Sequence, residues 1–339
     1  MLESPNLAFS DLMTCVATAY ALQPAALDFL PVGYDATAWA FAVTGTDGAR
    51  SFLKLKRGSF PPASLAVPRA LADAGMVEIV APLAAKSGAL QVPWDGYSLA
   101  LYPFIVGEVG MEVGLTPAQW TMLGAALRRV HDVRLSESVA AQVGREQFTS
   151  PWLATVHDVT AHLTNAPVAD PVEREFAALW QTQRVRIDHI VTRTEALGRA
   201  LRQRTPPFVL CHADIHTANT LVDRAGRLHI VDWDGVIFAP KERDLMFLLG
   251  NTVDGVAQPH WQEVAFQAGY GAVTLDPLAL AYYRYEWVVQ ELGDSGARIC
   301  LAGDGGDLTR TAALDDFRQL FNPGDVVEGA LAADRDDLL

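Results

Sequence analysis

The chain has 339 residues, half of them hydrophobic, and a formal net charge of −14, enough apolar content for one large domain or two modest ones. That charge comes with no basic stripe to neutralise phosphates, so a nucleic-acid partner is not expected. No apolar run nears the roughly 20 residues of a membrane span, and Glu3 and Asp11 argue against an N-terminal signal segment.

Residues 7–22 are apolar at helical spacing and predict a first helix. Cys15 within it, Cys211 and Cys300 are odd in number and far apart, which predicts reduced thiols in a cytoplasmic protein. Strand-like runs follow: AALDFLPV, AWAFAV, SFLKLK, VEIVAPL and YSLALYPFIV. Turn signals at Gly33-Tyr34-Asp35 and Thr46-Asp47-Gly48 separate them. A helical piece near 63–74 interrupts the run, and Pro68 breaks its pattern.

After Gly107 the character changes. Thr116 as N-cap, Pro117 at the first helical position and Gln119 closing a capping box start a helix. Helical patterns follow at 172–203, 259–270, 276–292 and 307–321, around a short β insertion at 207–232. The expectation is an α+β chain: a β-rich part over 1–105, a hinge near 104–108, a mainly helical part over 106–339, and a cleft between two lobes.

The β insertion carries LCHADIHTAN, residues 210–219, and then DWDG. A turn centred between Ala225 and Gly226 pairs position 219 with 232 across a hairpin. Asp214, Asn219 and Asp232 then converge. Magnesium takes hard oxygen ligands, which a carboxylate and an amide oxygen supply, while a separate carboxylate accepts a hydroxyl proton. Phosphoryl transfer also needs a lysine on the phosphates, and Lys54 and Lys56 share one face of SFLKLK. Zinc hydrolysis is the rival: His212 and His216 would be ligands with Asp214 or Cys211, but no further histidine cluster accompanies them. His212 reads better as a loop-fixing hydrogen bonder, and His216 as a phosphate or substrate contact or a loop cap.

CHADIHTANTLV…LHIVDWDG resembles the catalytic and metal-binding segments of the aminoglycoside phosphotransferase and choline-kinase superfamily, relatives of protein kinases. With APKERDLMFLLG, FLKLK and LYPFIVG, the chain resembles spectinomycin phosphotransferases from end to end. The resemblance implies a protein-kinase-like two-lobed fold, with residues 1–105 binding nucleotide and 106–339 carrying catalysis and substrate. It implies ATP-dependent phosphorylation of a hydroxyl on a cationic aminocyclitol, spectinomycin or a biosynthetic precursor, in resistance or self-protection. Asp214 would be the base, Asn219 and Asp232 would bind Mg2+, and Lys54 would meet the phosphates, with Lys56 in reserve. Tyr102 to Ile105 would carry adenine, through the Pro103 carbonyl and the Ile105 amide. Gly33 and Thr37 would form the phosphate loop, although PVGYDATAWAF is not Gly-rich.

Relatives place an acid on the helix after the lysine strand; here none occurs before Asp73. Residues 251–339 hold five basic and fifteen acidic residues. Asp234, His216, Glu286, Trp287 and Glu291 are the candidate substrate contacts, with Glu286 and Glu291 otherwise read as solvated. GDSG at 293–296 reads as a loop, and Asp244 as structural. Rival readings are a choline, methylthioribose or amino-sugar kinase of the same fold, and a kinase-like module that holds nucleotide without turnover. No obligate protein partner is evident.

Overall fold

The computed structural model describes residues 2–33, 35, 37–165, 170–249, 252–253, 256–257, 259–302, 306–334 and 338. Tyr34 of the expected turn lies outside the described residues. The chain forms two compact units: 1–144 with 212–237, and 145–211 with 238–339. The division expected after residue 105 falls inside the first.

The first unit is built on a five-stranded antiparallel sheet. Its strands are β1 (Pro24–Leu30), β2 (Ala38–Gly45), β3 (Arg50–Arg57), β4 (Val92–Trp94) and β5 (Tyr97–Pro103), in the order β1-β2-β3-β5-β4. Alternation gives this sheet two different faces. Trp39, Phe41, Val43, Leu53, Leu55, Leu99 and Leu101 form one core cluster with Leu12 and Val16 of α1 (Phe9–Ala19). On the other face Ala40, Lys54 and Ala100 lie directly opposite one another across three strands. There Phe60 and Leu65, the latter from α2 (Pro62–Asp73), pack with Ala100 and Tyr102. A one-residue slip of β3 would bury Lys54 and Lys56 among the leucines, so the pattern fixes the register.

Two expectations in this unit need correction. α2 runs through Pro68 without ending, its buried face closed by Leu65, Val67 and Leu71. VEIVAPL is not a strand. It makes isolated bridges, Ile79 to Ile230 and Leu83 to Leu101, because Pro82 lacks the N–H a continuing ladder needs. One strand was also missed: Gly107–Val109 pairs with Thr220–Asp223, and Gly107 leaves a Cβ no room, only 2.3 Å from the Val222 carbonyl oxygen.

The second unit is mainly helical. Its central helix, Pro277–Gly296, is buried nearly all round, with Leu278, Tyr282, Tyr283, Tyr285, Val288, Val289 and Leu292 among the buried positions. Helices Trp152–Asn165, Pro171–Arg202, Asp307–Gln319 and Val326–Ala333 pack around it. GDSG is therefore helical, not a loop. A Cβ on Gly293 would sit 2.8 Å from Trp152, and one on Gly296 2.6 Å from Val159. These glycines let two helices approach closely, which is why a turn-like tetrapeptide stays in a helix. Asp276 caps this helix by accepting from the Leu278 N–H at 2.9 Å. Among the described residues, no helix is long and apolar enough to cross a membrane.

Candidate active site

The hairpin has a different register from the expected one. Ile230 faces Thr220 and Leu228 faces Val222, and the Val231 N–H donates to the Asn219 carbonyl at 3.0 Å. The partner of Asn219 is thus Val231, not Asp232. The cause is a three-residue loop, Arg224 to Gly226, closed by Asp223 and Arg227, with Gly226 left-handed at φ 77°. The Asp223 carboxylate fixes that loop by accepting from the Ala225 and Arg227 N–H groups, at 2.9 and 3.0 Å.

Asp232 follows Val231 directly and meets Lys54. Its backbone is left-handed, φ 61° and ψ 68°, and starts a tight turn over Trp233–Gly235. Trp233 is buried and its ring lies 4.6 Å from that of His212. A Cβ on Gly235 would stand 3.3 Å from the His212 carbonyl oxygen. The turn is thereby pinned on both sides of Asp234. Lys54 Nζ, from β3, then donates to Asp232 Oδ1 at 3.0 Å and to Asp234 Oδ2 at 2.9 Å. Burial alone would pull the Lys54 ammonium down, but Asp232 and then Asp234 outweigh it and hold the group well above the ordinary lysine range. Tyr102 lies beside them, its phenol pushed up chiefly by burial.

The preceding loop is equally constrained. Ala213 is left-handed, φ 71°. The fully buried His212 ring has Nε2 2.9 Å from the Val231 carbonyl and Nδ1 3.3 Å from the Asp214 N–H. A carbonyl needs a donor and an N–H needs an acceptor, so the ring carries its proton on Nε2. With both nitrogens engaged by backbone, His212 fixes the loop and offers no lone pair to zinc. Asn219 Nδ2 donates to the Asp214 carbonyl and to Asp214 Oδ2, each at 2.8 Å. His216 Nε2 lies 3.2 Å from Asn219 Nδ2 and 3.4 Å from Asp214 Oδ1.

Lys56 is engaged elsewhere. It pairs with Asp35 and lies 3.2 Å from Thr37 Oγ1, while Asp35 accepts from the Thr37 N–H and hydroxyl at 2.7 and 2.6 Å. Against the raising effect of burial, Lys56 and Thr37 hold the Asp35 carboxyl below the ordinary range. Gly33, at φ 87°, belongs to this same loop. Pro103 stands opposite Ser51 at the end of β5, with Tyr102 just before it and Ile105 just beyond.

The remaining candidates lie in the second unit. Glu286 is not solvated: it is 6% exposed, accepts from Ser150 Oγ at 3.0 Å and pairs with Arg243. Helical spacing alone could not distinguish this inward carboxylate from a surface one. Trp287 Nε1 donates to Glu291 Oε1 at 3.2 Å, and its ring packs edge-on against Phe247 at 4.7 Å. Asp244 is fully buried.

The first unit thus holds a lysine between two carboxylates and, at the foot of the hairpin, an aspartate locked to an asparagine five residues on. Residues 28–283 match the phosphotransferase enzyme family, and the chain belongs to it. It superposes on spectinomycin phosphotransferase APH(9)-Ia, solved in complex with ADP and spectinomycin, with a TM-score of 0.84 and 29% identity over 99% of this chain and 100% of the other. The AMP-bound complex of that enzyme gives 0.79 and 28%, over 96% and 99%. Amicoumacin kinase hAmiN, at 16% identity, 95% and 97% coverage and a TM-score of 0.58, shares the fold. Protein StrN of Streptomyces griseus is 23% identical over 80% of this chain and 79% of its own. The chain is a small-molecule phosphotransferase with the protein-kinase-like fold.

Proposed function

We propose that the chain transfers the γ-phosphoryl group of ATP to a hydroxyl of a cationic aminocyclitol, spectinomycin or a biosynthetic precursor, in the cytoplasm. The observations that support the phosphotransfer reading are the Lys54–Asp232 pair and the Asp214–Asn219 pair, linked through the backbone bond from Val231 to Asn219. The relative bound to ADP and spectinomycin, alike over its whole length, supports the substrate class.

In this reading Asp214 orients the acceptor hydroxyl and takes its proton. Lys54 meets the α and β phosphates, and the segment Tyr102 to Ile105 carries adenine, needing only the carbonyl of Pro103. Gly33 and Thr37 cover the phosphates. Residues 1–105 serve the nucleotide, and 106–339 carry catalysis and acceptor recognition. Asn219 and Asp232 fit Mg2+: they offer hard oxygens, and the Asn219 amide nitrogen is already committed to Asp214, leaving Oδ1 as an acceptor. The ion would neutralise charge on the phosphates. Of the five acceptor contacts proposed from sequence, His216, Trp287 and Glu291 keep that role, Asp234 is engaged by Lys54, and the engagement of Glu286 with Ser150 and Arg243 favours a structural role.

A phosphotransfer assay with ATP, Mg2+ and separate panels of aminocyclitols, amino-sugars and amino alcohols tests this. Spectinomycin-dependent ADP release is the expected result. Turnover of choline or methylthioribose with none of any aminocyclitol would overturn the substrate assignment. The two lysines should also differ. Lys54→Ala is expected to lower kcat/KM for ATP about 10- to 150-fold, the worth of one charge-assisted hydrogen bond. Lys56→Ala, which frees Asp35, should lose less; steady-state kinetics on the pair would reverse the assignment if Lys56 proved the more damaging.

A further inference from the structure

We propose that Asp234 is the positioning residue for Lys54, standing in for the helix acid that this chain lacks. The proposal rests on the nucleotide reading above. α2 carries one acid, Asp73 at its last residue, and that side chain pairs with Arg69 at 2.6 Å. The buried α2 positions are Ala63, Ser64, Leu65, Val67, Pro68 and Leu71, none of them a counter-ion. Yet α2 packs directly against the turn Trp233–Gly235. The carboxylate that reaches Lys54 comes from that turn, with Asp234 Oδ2 at 2.9 Å.

Asp232 and Asp234 contact the same ammonium, but they are not equivalent. Asp232 is the carboxylate that the metal reading claims. A lysine held by Asp232 alone would lose its partner when that carboxylate turned to a cation. Asp234 removes the conflict, because it continues to hold Lys54. Its place is set by the turn and not by a long flexible arm: Trp233 is buried on one side, and on the other a Cβ added to Gly235 would come within 3.3 Å of the His212 carbonyl oxygen. A half-buried lysine with several rotatable bonds gains most from such a fixed partner, since its rotamer freedom is already lost before the phosphate arrives.

The test is a double-mutant cycle on MgADP affinity, read by calorimetry in the full chain, with Lys54→Met and Asp234→Asn. Asp234→Asn is expected to weaken MgADP about tenfold in the wild-type background and less than about twofold in the Lys54→Met background. In turnover, kcat/KM for ATP should fall while the KM for the acceptor stays within about twofold. Asp234→Glu should recover part of the loss, because it keeps a carboxylate on the same turn. Equal losses in both backgrounds would overturn the proposal, and so would a raised acceptor KM with unchanged nucleotide affinity, which assigns Asp234 to the substrate. Absence of MgADP binding by the wild-type chain would overturn both this inference and the reading it rests on. Thermal unfolding midpoints of all four proteins control for folding, and the Glu variant carries the comparison if the Asn variant unfolds.

Discussion

Asp214→Asn is expected to lower kcat by about 10²- to 10⁴-fold, the span that a positioned general base contributes, with MgATP affinity within about threefold of wild type. The substitution removes the basic oxygen and little else. Asn219 Nδ2 now donates to Asp214 Oδ2 at 2.8 Å and to the Asp214 carbonyl at the same distance. An amide oxygen accepts the first bond as well, and the second is a backbone contact that the change leaves alone. His212 still holds the loop through Val231 and the Asp214 N–H. The Lys54–Asp232 pair, where the nucleotide phosphates are proposed to lie, is untouched. Burst and steady-state kinetics at saturating ATP give the first quantity and calorimetry the second. A kcat within tenfold of wild type would remove Asp214 from the role of base. An equal loss of MgATP affinity would mean that it holds the metal or the loop.

Much of this arrangement is legible in the sequence because it is local. Asp214 and Asn219 lie five residues apart on one loop, and the β3 alternation puts Lys54 and Lys56 on the non-leucine face. What the sequence hides is set by backbone states that residue identity does not announce. Asp232 is left-handed, a conformation few non-glycine residues adopt, and without it the hairpin register would carry the carboxylate elsewhere. Turn length decided the register itself: with Gly226 at φ 77° the loop takes three residues, where an even reflection assumes two. The same limit applies to Lys54 and Lys56. Both point one way, and only the tertiary structure shows that one meets Asp232 and Asp234 while the other ties down Asp35. Long-range packing was the other blind spot. Gly293 and Gly296 look like turn residues until Trp152 and Val159 are seen against them, and Glu286 looks like surface charge until Arg243 is placed beside it.

Glu286→Ala is expected to destabilise the second unit by about 3–5 kcal/mol, the cost of stripping one partner from a buried ion pair. The Glu286 side chain is 8% exposed and that of Arg243 is 14% exposed. Burial alone would pull the Arg243 guanidinium down; Glu286 is the largest influence against it, and the net shift is upward. A folded-state value raised above the unfolded one gives stability that is present below the unfolded arginine range, so the pair contributes at every working pH. Without Glu286 the guanidinium keeps the Tyr283 ring, 5.5 Å from its centroid, and the electrostatic influence of Glu146, and Ser150 loses its acceptor. Water cannot fully compensate at such exposure. Glu286→Gln should cost less, since an amide oxygen still accepts from Ser150 or Arg243. The paired change Glu286→Leu with Arg243→Met should recover most of the loss, because it removes the unpaired charge and refills the volume. Urea unfolding of the four proteins, with nucleotide absent, measures all of these. A loss under 1 kcal/mol in Glu286→Ala, accompanied by a raised acceptor KM, would show instead that this carboxylate serves the substrate and that Arg243 finds another partner.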